Sequence, residues 1–104
     1  MGIAVLLVDK NLKITVQVID SIDINTDFYK FRNIAREEGY FFLGTLDDTG
    51  DTVFNYLQLP YLEKEMQLIR KKTSFGQQAL EILEHAICAM REKGSTVYIR
   101  CIGD

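Results

Sequence analysis

Phe75, Ala79, Ile82, Leu83, Ala86, Ile87 and Met90 fall at i, i+4, i+7, i+8, i+11, i+12 and i+15. That spacing sets all of them on one face of an α-helix. Such a helix is marginal alone in water and is stabilised by laying its stripe on a second apolar surface. Ser74 with Gln77 matches a capping box at its start, and Gly94 ends it. The rest of the chain must supply the surface beneath.

Two segments offer strands for that purpose. Ile3-Ala4-Val5-Leu6-Leu7-Val8 is a continuous apolar run closed by Asp9-Lys10-Asn11. It reads as a strand covered on both faces near the middle of a sheet. Leu12, Ile14, Val16 and Val18 alternate with Lys13, Thr15 and Gln17. That is the pattern of a half-buried strand, and the polar turn between the two makes a hairpin.

Asn25, Thr26 or Asp27 can cap a helix starting near Phe28, with Phe28, Phe31, Ile34 and Ala35 on its apolar face and Gly39 as its stop. Tyr40 to Leu46 returns to strand character, Asp47-Asp48-Thr49-Gly50-Asp51 is a turn, and Thr52 to Leu57 is the returning strand. Pro60 suits the first turn of a further helix, with Leu62, Met66 and Ile69 on one face, widened by Tyr61 and Leu68. Arg70-Lys71-Lys72 falls where that helix ends, and cations there favour the helix dipole. Thr96 to Ile102 is a final strand. It is a candidate sheet edge, whose unpaired backbone groups would suit a homodimer. The predicted fold is α+β: a largely antiparallel five-stranded sheet with three helices, in the order ββαββααβ, helices mainly on one face, as a single domain over residues 1–104.

A chain of 104 residues is long enough for one core without staples. Its net charge of −3 argues against nucleic acid as a direct partner, because phosphate binding needs clustered Lys and Arg. Cys88 and Cys101 lie within apolar runs and read as two buried free thiols of a reducing cytoplasm. The run Ile3 to Val8 is too short for a signal peptide or a membrane span.

Catalytic candidates are few. His85 has Glu81, Glu84 and Cys88 within one helical turn, but a zinc site needs three or four convergent ligands, and a solvated helix face accounts for the group. His85 precedes Cys88 by three residues with no evident substrate pocket between them, so a Cys–His nucleophile is not supported. Asp47 with Asp51 sits in a turn too exposed to shift a carboxyl towards neutrality. Gly50, Gly76 and Gly94 form no phosphate-cradling loop. No catalytic residue, metal or cofactor is predicted. The acidic groups remain: Asp20, Asp23 and Asp27 in one connection, Asp47, Asp48 and Asp51 in another. Each falls at a sheet end, and such a surface attracts a basic partner.

The stretch Gly50-Asp51-Thr52-Val53-Phe54-Asn55-Tyr56-Leu57-Gln58 precedes a helix containing Glu63, Glu65 and Leu68, and the chain finishes Tyr98-Ile99-Arg100-Cys101-Ile102-Gly103-Asp104. This resembles small bacterial proteins with a Thr-x-Phe-Asn-x-x-Gln segment and an Ile-Gly-Asp ending, the immunity proteins of contact-dependent growth inhibition and other polymorphic toxin systems. The likeness covers the C-terminal half. It implies a cytoplasmic inhibitor that binds the C-terminal domain of a cognate toxin, often a nuclease, and blocks its active site or substrate groove without catalysis. Asn55 and Gln58 carry the motif, and both suit structural roles. The alternatives are a bacterial or phage regulatory interaction module, and an enzyme whose site is not recognised.

Overall fold

Hydrophobic alternation builds one layer of the molecule and helical periodicity builds the other. A computed structural model describes residues 2–103. Its strands are β1 (Gly2–Asp9), β2 (Thr15–Asp23), β3 (Asp51–Phe54) and β4 (Val97–Gly103). They form one antiparallel sheet in the order β2-β1-β4-β3. The helices are α1 (Thr26–Glu37), the short α2 (Phe41–Gly44), α3 (Leu59–Lys72) and α4 (Gln77–Lys93).

Strand residues alternate between a covered and an open side. Ile3, Val5 and Leu7 on β1, Ile99 and Cys101 on β4, Phe54 on β3 and Ile22 on β2 join the buried cluster formed with Phe28 and Phe31 of α1, Leu62 and Ile69 of α3, and Leu83 and Met90 of α4. The intervening residues face the other way, and the register aligns them: Val18 beside Leu6, Leu6 beside Arg100, Arg100 beside Val53. None of these four is buried.

The five-stranded, three-helix expectation is overturned: the described residues form a four-stranded sheet and four α-helices. The difference lies at Tyr40 to Leu46, which the sequence marks as a strand. Gly39 takes φ +73° after α1, and the Tyr40 N–H returns to the Ala35 carbonyl at 2.8 Å. The chain then coils as α2, because Glu65 of α3 accepts the Phe42 and Leu43 N–H groups at 3.1 and 2.9 Å. A carboxylate at a helix N-terminus satisfies orphan donors and suits the dipole. This one comes from 22 residues away, so no local pattern announces it.

Other expectations also change. The strand predicted over Thr52 to Leu57 stops at Phe54, because Asn55 and Gln58 form a reciprocal capping box that turns the chain through Tyr56–Gln58 into α3. Pro60 then sits in the first turn of α3. The Ser74–Gln77 box does not form. Gly76, at φ +78°, precedes α4 instead, and its N–H donates to Asp27 at 2.9 Å. A Cβ at Gly76 would run into the Phe31 ring, so both the backbone angle and the close approach require glycine there. β1 is central but covered by helices on one side only. β4 lies inside the sheet, not at its edge, so the homodimer expectation loses the strand it was drawn from. The edges are β3 and β2, and β2 carries two register shifts that leave Val16 and Ile19 without direct partners.

Candidate functional site

The strand order brings the end of β2, the start of β1, the end of β4 and the start of β3 to one end of the sheet. Five of the six aspartates fall there, while Asp20 lies further along β2, opposite Val5. Asp20 and Asp23 are on β2 itself, not in the connection after it, and Asp27 is in the first turn of α1. Asp47 and Asp48 lie in the loop before β3, and Asp51 opens that strand.

α1 links the two groups. Tyr29 donates its hydroxyl to Asp48 at 2.6 Å, and Arg32 approaches the same carboxylate at 3.4 Å. The Tyr29 hydrogen bond, aided by the Arg32 charge, holds the Asp48 carboxyl below its ordinary value. The same bond, with some burial, pushes the Tyr29 phenol up. The Arg32 guanidinium also stands over the Tyr29 ring, 5.0 Å from its centre.

Most of these carboxylates hold structure. Asp47 accepts the Thr49 N–H at 2.9 Å. Asp27 accepts the Gly76 N–H. Asp51 pairs with Arg100 at 2.5 Å, and Asp23 accepts from Gln78 at 2.9 Å. Among the described residues, Asp20 accepts only the N–H of its neighbour Ser21. Among the described residues, ion pairs reach Asp48 and Asp51 but not Asp20, Asp23, Asp27 or Asp47. That end of the sheet therefore stays anionic. A cavity of about 190 Å³ opens there, lined by Asp23, Asp27, Gly76 and Gln78 among others.

The other end has the opposite sign. Lys10 and Lys13 line a hollow of about 470 Å³ with Val53, Tyr56, Leu57 and Tyr98, and the Lys13 ammonium stands over the Tyr98 ring. Between the ends lies the side of the sheet without helices. Val18 is 69% exposed and Val53 49%. Leu12, Ile14 and Val16, whose alternation predicts a half-buried strand, are exposed as well. This apolar surface is what sequence reasoning misses. The alternation of Leu12 to Val18 carries its signal, and alternation alone reads as a face turned to the core.

A third region is the groove between α3 and α4, about 540 Å³, lined by Met66, Ile87 and Cys88. Ion pairs Arg70–Glu84 and Arg91–Glu63 bridge it. Cys88 is exposed, against the expectation of burial. Cys101 is buried, which pushes its thiol up to about 12 and leaves no reactive thiolate at neutral pH. His85 is exposed, and Glu84 is occupied by Arg70. Among the described residues, no group of three or more His, Cys, Asp and Glu could hold a metal ion. Nor is any helix long and apolar enough to cross a membrane. No protein-family model, curated protein or solved structure matches the chain.

Proposed function

We propose that this protein works by stoichiometric binding to another protein, and that the partner is the C-terminal domain of a bacterial toxin, which it neutralises in the cytoplasm. The observation that supports this is the gathering of Asp23, Asp27, Asp47, Asp48 and Asp51 at one end of a single sheet with Asp20 nearby, and among the described residues no cation pairs with Asp20, Asp23, Asp27 or Asp47. The partner class comes from the sequence resemblance. A toxin nuclease carries a basic groove because its substrate is a polyanion. Carboxylates held in a fixed array can occupy such a groove and exclude the nucleic acid. Inhibition of this kind requires no bond chemistry.

Co-expression with the toxin domain encoded beside the gene, followed by pull-down, tests this reading. Survival with a recovered complex is expected. Survival without one would count against direct inhibition. Within the complex, Asp20→Asn with Asp23→Asn should slow association about tenfold at low salt and flatten its salt dependence. An unchanged rate would remove that end of the sheet from the interface. The open apolar face also favours a second reading, a non-catalytic bacterial or phage module that regulates a different protein. The absence of a toxin gene beside it would favour that reading.

A further inference from the structure

We infer that the hollow at the basic end of the sheet is a binding site for a small aryl phosphate, a molecule with a flat apolar body and one phosphate group. The site lies at the end opposite the aspartates and stands whether or not their partner is a toxin. A volume of about 470 Å³ falls within the range of small-molecule pockets, which combine apolar and aromatic walls with a few convergent polar groups. Here Val53, Tyr56, Leu57 and Tyr98 supply the walls, and Lys10 and Lys13 supply the charge. Among the described residues, no Asp or Glu lines the hollow and no ion pair engages either lysine. Asp9, the only acid of the turn, accepts the Asn11 and Leu12 N–H groups at 2.9 and 2.8 Å.

Both lysines are set in place through their backbone. The Lys10 N–H donates to the Thr96 carbonyl at 3.0 Å, and the Lys13 N–H to the Asp9 carbonyl at 2.8 Å. Lys13 has φ +60°, and among the described residues it alone, apart from glycines, takes a positive φ. Glycine or asparagine ordinarily fills such a position, because a longer side chain is strained there. The turn itself has no need of an ammonium at this point. Held so, the Lys13 ammonium stands 5.7 Å from the centre of the Tyr98 ring, at the hollow. The Asn55–Gln58 capping box fixes the turn that brings Tyr56 and Leu57 to the same hollow. Leu57 is 81% exposed, so a flat apolar body laid on it removes surface from water. Two ammonium groups balance the double negative charge that a phosphate approaches above about pH 7, and lysine binds phosphate as a point charge.

Titration of the isotope-labelled chain with 2-naphthyl phosphate at about pH 7.5, followed by amide NMR, tests this. A dissociation constant of roughly 0.5 mM is expected for a ligand of this size, with the largest shifts at Lys10, Lys13, Leu57 and Tyr98. 2-Naphthol, which lacks the charge, and inorganic phosphate, which lacks the ring, should each bind at least about fivefold more weakly. Lys10→Gln with Lys13→Gly should weaken binding about tenfold, with the thermal transition retained because glycine accepts the backbone angle of Lys13. Shifts centred elsewhere, no binding below about 5 mM, or an affinity indifferent to the lysine pair would overturn the site. Equal affinity for 2-naphthol would overturn its preference for an anion. A phosphotyrosine peptide that binds at the same residues about tenfold more tightly would overturn the assignment to a free small molecule.

Discussion

Val53 and Phe54 are neighbours on one strand, and their surroundings differ almost completely. Phe54 is 1% exposed beneath the helices, while Val53 is 49% exposed on the side no helix covers. The contrast extends across the sheet, with Leu7 buried on one side and Val18 in solvent on the other. Both sides are apolar, so hydrophobicity marks the sides that seek cover without saying which the chain itself can provide. Three long helices reach one side only. The other side keeps its apolar residues in solvent.

Substitution on β3 breaks the comparison most sharply. Phe54→Ala should cost about 3–5 kcal/mol, because it opens a cavity beside the core. Val53→Ala should stay within about 0.5 kcal/mol for the monomer. Chemical denaturation of each variant at low protein concentration checks both values, and similar losses would mean that the open side is covered within one chain.

A smaller effect is expected at Glu65, which belongs to the covered side. Glu65→Ala leaves the Phe42 and Leu43 N–H groups without their acceptor and should cost about 1–3 kcal/mol. Hydrogen exchange should quicken at those two amides first, and uniform quickening across the sheet would show that α2 is not held by this carboxylate.

The smallest effect concerns the Tyr29–Asp48 bond at the anionic end. Folding lowers the Asp48 carboxyl, so its contribution is whole above the ordinary value of 3.8 and fades as pH falls through the lower folded value. Folding raises the Tyr29 phenol, so its contribution is whole below 10.0 and fades as pH rises through the higher folded value. Tyr29→Phe should therefore be slightly less stable than the native chain between those limits and approach it outside them. Denaturation series at pH 3, 7 and 11 would show this, and a constant difference would contradict the assignment.

What the sequence makes legible follows from the range of the interactions involved. The stripe of α4 and the placement of Pro60 in α3 are set by neighbours within a few residues, and both are readable. The coil at α2 depends on Glu65, and the start of α4 depends on Asp27 reaching Gly76. These carboxylates act across 22 and 49 residues, and no spacing rule finds them. The aspartates were legible as two groups, but the meeting of five of them at one end required the strand order. Tyr29, Arg32 and Arg100 offered no signal, because their roles come from facing those aspartates. Leu12 to Val18 failed differently: alternation identified the apolar side correctly and could not say that no helix would reach it.

The two register shifts on β2 bear on how copies of this chain meet. A smooth nine-residue margin would invite another chain to add itself as the next strand, and the next copy after that, without limit. Kinks at Val16 and Ile19 interrupt the regular spacing a newcomer would have to match. Lateral growth by strand addition at this margin is thereby blunted.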